Sequence, residues 1–277
     1  MPIPVIPADA PAPGVIVTAD ADALALAAAD RFLELAREAI ATQGRFTVAL
    51  SGGSTPEKMY ALLAAPERRS AIPWEQVFVF LGDERFVPAE NPWSNYGMAK
   101  RALLDPIAFP ESNRFPMPTP PGVTDLGAAA FRYTDVLATF FQAPGLAEPP
   151  AFDLILLGLG DDGHTASLFP GKPALEVSTG WVTGTPPGVL PPPVDRLTLT
   201  FPVLNAAKNV LFLVGGEKKA DVLQAILEGG SDPATHPAAA VRPRNGSLTY
   251  LLDAAAAAKL TRPHSAAGGE GTHGSPS

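Results

Sequence analysis

Strand-like and helix-like segments alternate along most of the chain, and this order constrains the fold more than any other sequence feature. Short apolar runs typical of buried strands lie at 45–50, 77–81, 152–157 and 209–214, with further strand patterns at 181–183, 196–201 and 248–252. Helices are expected at 21–41, 56–65, 96–104, 124–141 and 217–227, and an alanine-rich helix after the last strand. We therefore predict an α/β protein with a mostly parallel sheet.

Proline and glycine content marks the boundaries of the predicted domain. Residues 1–14 are rich in proline and alanine and are expected to form an extended arm. Residues 263–277 are rich in glycine and serine and are predicted to be a disordered tail. Residues 15–262 form one predicted α/β domain, in which proline-rich stretches at 105–122 and 185–193 mark loops.

The composition argues against several classes of protein. The chain has no cysteine, so disulfides and thiolate chemistry are excluded and a cytoplasmic location is expected. No apolar run approaches the ~20 residues that a membrane span requires. A formal net charge of −8 argues against binding to nucleic acid or to acidic membranes. A small anionic ligand is still expected to bind if a few cations converge locally.

Glycine and polar residues follow the predicted strands directly. In parallel sheets, ligands bind in the crevice beyond the carboxyl ends of the strands. The segments that follow the strands are therefore the candidate site, and they lie at 51–55, 82–85, 158–164 and 215–219.

The first of these segments is a candidate phosphate site. Its residues are Ser51, Gly52, Gly53, Ser54 and Thr55. They connect a strand to a helix, whose N-terminus presents free N–H groups and favours an anion. An ordinary capped turn remains the alternative interpretation of this segment taken alone.

The third segment contains a candidate general base, His164. Asp162 precedes it by two residues across Gly163, a spacing that lets the carboxylate orient the imidazole ring. Histidine suits proton transfer near neutral pH. The match of residues 158–163 to the dinucleotide pattern G-x-G-x-x-G is weak, because two aspartates would face a pyrophosphate. A structural loop histidine is the alternative.

The remaining segments supply carboxylates and cations. Asp83 and Arg85 follow one strand, and Lys218 and Lys219 follow another. A salt-bridged loop and solvated lysines are the corresponding alternatives. No metal is expected, because no histidine and carboxylate set has the spacing of a metal site.

Taken together, these segments resemble the 6-phosphogluconolactonase branch of the family shared with glucosamine-6-phosphate deaminases. The resemblance spans about residues 48–225 in the same order. It rests on SGGSTP (51–56), GDER (82–85) with SNY (94–96), GLGDDGHTASLFP (158–170), RLTLTFP (196–202) with LN (204–205), and GEKKA (216–220).

This resemblance implies a Rossmann-like open sheet with helices on both faces. It also implies hydrolysis of 6-phospho-D-glucono-1,5-lactone in the pentose phosphate pathway without a cofactor, with His164 as general base and Asp162 or Asp83 orienting its ring. The phosphate would be held by residues 51–55, Arg85 and Lys219, with Arg196 as a weaker addition. The expected partner is the small sugar phosphate lactone, and the expected state is a monomer or weak homo-oligomer.

Two other functions are considered. The related deaminases carry a glutamate five residues after the histidine, where this chain has Phe169, and an aromatic residue where it has Arg85. Both departures favour the lactonase. A non-catalytic sugar-phosphate sensor could use the same pocket, but the chain has no helix-turn-helix pattern and retains the candidate base.

Overall fold

Strands and helices alternate in the computed structural model, which describes residues 12–143, 145, 148–189, 191–262 and 265–266. In chain order the elements are β1 (Gly14–Thr18), α1 (Ala21–Gln43), β2 (Phe46–Leu50), α2 (Ser54–Ala64), β3 (Val77–Leu81), β4 (Asp83–Arg85), α3 (Asn95–Ala99), β5 (Arg114–Phe115), α4 (Leu126–Phe140), β6 (Leu154–Leu157), β7 (Val182–Thr185), β8 (Arg196–Leu199), α5 (Phe201–Leu204), β9 (Asn209–Val214), α6 (Ala220–Leu227), β10 (Ser247–Asp253) and β11 (Ser265–Ala266). Short 3-10 turns connect several of them.

The main sheet is parallel throughout, in the order β11-β1-β10-β9-β6-β2-β3-β5. Every residue of β2 and β6 is buried, as their continuous apolar sequences predict for strands covered on both faces. Helix α1 packs against α2 and against β10. The predicted α/β fold with a mostly parallel open sheet is confirmed.

A second, antiparallel sheet contains β4, β8 and β7. The sequence pattern had predicted a loop at 82–85 and had not separated 181–183 and 196–201 from the parallel sheet. Gly82 connects the two sheets: its N–H donates to the Leu50 carbonyl of β2 at 2.9 Å, and its carbonyl accepts from Leu199 N of β8 at 2.9 Å. The chain therefore leaves the main sheet at Gly82.

Other elements also differ from the sequence prediction. Strand β1 begins at Gly14, at the end of the predicted arm, whose first 11 residues lie outside the described part. The predicted alanine-rich helix after β10 is wrong: that segment forms turns, and Ala256 N donates to the Asp253 carboxylate at 2.7 Å. A short helix without an apolar face to pack is marginal even when alanine-rich.

Two further differences are local. The predicted helix 96–104 is α3 followed by a π-helical turn, Lys100–Leu104. In the tail predicted to be disordered, Ser265–Ala266 pair with β1, so that prediction does not hold for these two residues; residues 263–264 and 267–277 lie outside the described part. Among the described residues, no helix is long and apolar enough to cross a membrane.

Buried tyrosines hold the ends of the adjacent strands β2 and β3. The Tyr60 hydroxyl of α2 donates to the Ser51 carbonyl at 2.9 Å and accepts from Ser51 N at 3.1 Å. The Tyr133 hydroxyl of α4 accepts from Leu81 N at 3.0 Å. Burial raises the pKa of both hydroxyls well above the ordinary value, so both stay protonated donors. These contacts fix where each strand ends and its loop begins.

We expect Tyr60→Phe to lower the free energy of unfolding by about 1–3 kcal/mol, because it leaves the buried Ser51 N–H and C=O without a partner. Urea unfolding measures this change. Tyr96→Phe is the control, since the Tyr96 hydroxyl has no hydrogen-bond partner in the described part, and it should change stability little. Equal losses in the two variants would contradict this account.

Candidate active site

A cleft of about 320 Å³ lies at the carboxyl ends of the parallel strands, within the roughly 300–1,000 Å³ range of small-molecule sites. All four candidate segments reach it. Its lining includes residues 51–55, Asp83, Arg85, Gly158, Gly160, His164, Gly215 and Lys219. Asn95, Ala166 and Pro191 complete it together with apolar strand-end residues.

The 51–55 segment offers main-chain donors to the cleft. Within the described structure, the N–H groups of residues 52–55 donate to no main-chain or side-chain acceptor. Gly53, with φ at +111°, precedes the first turn of the 11-residue helix α2. Free amides and a helix N-terminus favour an anion at this position. The geometry fits the phosphate site predicted from the sequence.

Asp162 is hydrogen-bonded to the His164 ring. Its Oδ1 lies 2.5 Å from His164 Nδ1 and also accepts from His164 N at 3.1 Å. Partial burial alone would raise the pKa of the Asp162 carboxyl, but the hydrogen bonds and charge of His164 outweigh it and lower that pKa below the ordinary value. A carboxylate at Nδ1 favours the proton there, which leaves the Nε2 lone pair able to accept another.

Glycines make this turn possible. Gly163 has φ at +80°, and Gly160 N donates to the His164 carbonyl at 2.8 Å. A Cβ atom on Gly160 would lie 2.0 Å from His164 Nδ1, so any other residue would displace the ring. Ala166, two residues after His164, has φ at +47°. This conformation is uncommon outside glycine and is often found at functional sites.

Asp83 lines the cleft but does not contact the His164 ring. Its Oδ2 accepts from Ser167 Oγ at 2.7 Å, and its Oδ1 accepts from Asn95 Nδ2 at 3.3 Å. The sequence had left Asp83 and Asp162 as alternatives for orienting the ring. The distances place Asp162 at the ring and Asp83 elsewhere on the cleft wall.

Two cations face the cleft, Arg85 and Lys219. Arg85 Nη1 donates to the Trp93 carbonyl and to Asn95 Oδ1, both at 2.7 Å, and its buried Nε has no partner in the described part of the chain. Lys219 Nζ forms an ion pair with Asp161. Asn95 was not predicted as a site residue. Its amide bridges Arg85 to Asp83, and the signal that could have suggested it is the SNY segment (94–96) of the family resemblance.

The Glu84 side chain, next to Arg85, caps the N-terminus of helix α3. Its carboxylate accepts from the N–H groups of Arg85, Asn95 and Tyr96 at 2.7–2.8 Å and from Ser94 Oγ at 3.0 Å. Burial raises the pKa of Glu84 to about 7, against the effect of these donors. The carboxylate is therefore held at the start of α3, and it does not line the cleft.

The cleft lining does not include Arg196, which was predicted from the sequence as a weaker addition to the phosphate site. Its Nε donates to the Val194 carbonyl at 3.0 Å and its Nη2 to the Pro192 carbonyl at 2.7 Å. Because Arg196 is buried, these two main-chain oxygens replace part of the hydration that its guanidinium loses.

No group of three or more histidine, cysteine, aspartate or glutamate side chains in the described residues is arranged to hold a metal ion.

Comparison with known proteins identifies the family. The family described as glucosamine-6-phosphate isomerases/6-phosphogluconolactonase matches residues 19–250. The chain belongs to this family. Within it, the chain is 47% identical over 224 residues to a 6-phosphogluconolactonase of Synechocystis, covering 80% of this chain and 88% of the relative. It is 40% identical over 225 residues to that of Rattus norvegicus, covering 80% and 83%.

Solved structures of the family share the fold. The 6-phosphogluconolactonase of Leishmania guyanensis superposes with a TM-score of 0.80 at 31% identity, covering 91% of this chain and 100% of that one. A monomeric glucosamine-6-phosphate deaminase superposes with a TM-score of 0.74 at 21% identity, covering 89% and 99%. The second likeness shows only that the two branches have a common fold.

We expect inorganic phosphate to raise the melting temperature of the protein, because a ligand that binds only the folded state stabilises it. Arg85→Met should weaken phosphate binding by roughly tenfold or more through the loss of charge-assisted hydrogen bonds. The shift in melting temperature is measured as a function of phosphate concentration. Arg45→Met is the control, since Arg45 lies over the Phe140 ring and outside the cleft. An unchanged titration in Arg85→Met would contradict the assignment.

Proposed function

We propose that the protein hydrolyses 6-phospho-D-glucono-1,5-lactone to 6-phospho-D-gluconate, with His164 as the general base. The observation that carries this proposal is an imidazole hydrogen-bonded to Asp162 in the same cleft as an anion site of free amides and cations. The relatives named 6-phosphogluconolactonases support the choice of substrate. We also propose that it acts in the cytoplasm, as a monomer or weak homo-oligomer.

The phosphate group and the lactone carbonyl of the substrate need different protein groups. Its phosphate carries a charge of about −2 and accepts several charge-assisted hydrogen bonds. We assign it to the amides of residues 52–55 and to Arg85 and Lys219, with the hydroxyls of Ser51, Ser54 and Thr55 as further donors. Anchored there, the sugar ring extends towards His164. The Asp83 carboxylate, fixed by Ser167 and Asn95, is placed to accept a hydrogen bond from a sugar hydroxyl.

The reaction needs one residue to act first as a base and then as an acid. His164 Nε2 takes a proton from water while the water oxygen attacks C1 of the lactone, and the carbonyl oxygen becomes an oxyanion. The Asp162 carboxylate stabilises the imidazolium that forms. When the bond from C1 to the ring oxygen breaks, the imidazolium returns the proton to that oxygen. Lactone and water are thus converted into the hydroxy acid without a cofactor.

Phe169 separates this proposal from the deaminase reaction of the sister branch. Its ring centroid lies 4.8 Å from that of His164, and the residue is 3% exposed. The chain therefore has an apolar ring at the position where the deaminases that it resembles have a glutamate. An apolar neighbour cannot take part in proton transfer, so the site keeps one base.

We expect His164→Ala to lower kcat/KM for the lactone by about 10²–10⁴-fold, the usual contribution of general acid–base catalysis. Asp162→Asn should lower it less, because the base remains but loses its charged partner. The lactone is generated in situ, and its loss is followed above the spontaneous background. As a control, both variants should keep the melting shift with phosphate. Undiminished acceleration by His164→Ala would refute the mechanism.

We expect the wild type to release no ammonia from glucosamine 6-phosphate. Phe169→Glu should lower lactone turnover and melting temperature, because it replaces the ring that packs beside His164 with a buried charge. Phe169→Leu, which removes the ring but adds no charge, is the comparison and should lower turnover less than Phe169→Glu. An ammonia assay and the lactone assay measure the two activities. Ammonia release by the wild type would assign the chain to the sister branch.

A further inference from the structure

The buried Arg196 guanidinium holds the end of a proline-rich segment. This segment comprises residues 186–189 and 191–194 of the described chain. Arg196 donates to two of its carbonyl oxygens, from Nε to Val194 at 3.0 Å and from Nη2 to Pro192 at 2.7 Å. The neighbouring Pro191 lines the cleft. The fork of one arginine therefore fixes a piece of main chain that forms part of the cleft wall.

The same guanidinium lies over the ring of Phe169, with its Cζ 5.9 Å from the ring centroid. Phe169 also contacts the proline-rich segment at Gly188, where a Cβ atom would lie 2.5 Å from Phe169 Cδ1. The centroid of the Phe169 ring also lies 4.8 Å from that of the His164 ring. Phe169 thus connects Arg196 and the segment to the candidate base.

A direct role for Arg196 in phosphate binding does not fit these contacts. The residue is 4% exposed and does not line the cleft. Strand pairing places it directly opposite Arg85, on the same face of the small sheet, so the two guanidinium groups repel each other. Burial lowers the pKa of Arg196, and the carbonyl oxygens of Pro192 and Val194 compensate for the lost hydration.

We propose that Arg196 is a positioning residue, whose planar fork holds the proline-rich segment against Phe169 and so fixes the ring of His164. The inference rests on the proposed function, because the ring must be held for catalysis. It requires the geometry of the fork and not only the positive charge. Lysine carries the same charge but offers a single nitrogen, which cannot reproduce the planar fork at both oxygens.

This role predicts a particular split of the kinetic constants. The phosphate site of residues 52–55, Arg85 and Lys219 does not depend on the fork, so the affinity for phosphate should not change. The ring of His164 loses one of its supports, so kcat should fall. A shift of the order of 1 Å at a catalytic group can lower the rate by about 10²-fold.

The test compares Arg196→Lys with Arg114→Lys. Arg114 is a matched control, because it also donates from Nε and Nη2 to a main-chain carbonyl, that of Phe109, but lies on the edge strand β5 away from the cleft. The measurements are kcat and KM for the lactone, and the phosphate-dependent melting shift. Gly188→Ala disturbs the same contact from the other side and serves as a second variant if Arg196→Lys does not fold.

We expect Arg196→Lys and Gly188→Ala to lower kcat by roughly tenfold to 10²-fold, with a smaller change in KM and an unchanged phosphate titration. Arg114→Lys should retain kcat. The proposal is overturned if Arg196→Lys, or Gly188→Ala where Arg196→Lys does not fold, keeps the kcat of the wild type. It is also overturned if the phosphate titration weakens in parallel with kcat. A wild type without lactonase activity would instead refute the proposed function.

Discussion

Parallel strand pairing brings together groups that are far apart in the sequence. Leu50 of β2 pairs with Leu81 of β3, and Leu157 of β6 pairs with Phe212 of β9. Parallel neighbours end at the same edge of a sheet, so the loops that follow them must meet there. The apolar strands drive this pairing, since each is buried and must be covered on both faces. The proposed site is built from these loops, and the sheet determines the distances between them.

The carboxylates near the cleft already have partners, which makes the proposed binding of an anion compatible with an acidic protein. Glu84 caps helix α3, Asp161 pairs with Lys219, and Asp162 is bonded to the His164 ring. Each of these contacts limits the negative charge that a bound phosphate would meet. The free main-chain amides of residues 52–55 add attraction without adding net charge. The net charge of −8 therefore says little about the potential inside the cleft.

The sequence predicted those parts of the fold in which local pattern and burial agree. Continuous apolar runs were assigned correctly as buried strands, because short runs of this kind suit a strand covered on both faces. Strand β4 was missed because Asp83–Arg85 is charged and is a strand only through pairing with β8. The choice between Asp162 and Asp83, and the contacts of Arg196, depend on side-chain directions that spacing alone does not define. Asn95 was missed for the same reason, since its amide acts through Arg85 and Asp83.

The surroundings of His164 suit its proposed role as a base that returns the proton it takes. Asp162 lies on one ring nitrogen, where its charge would stabilise the imidazolium of the proposed mechanism. Phe169 lies beside the ring and adds no charge. A second carboxylate there would stabilise the imidazolium further and slow the return of the proton to the ring oxygen of the lactone. An acid–base residue that acts in both directions thus needs one charged partner and one apolar neighbour, and the fork of Arg196 serves to hold that neighbour in place.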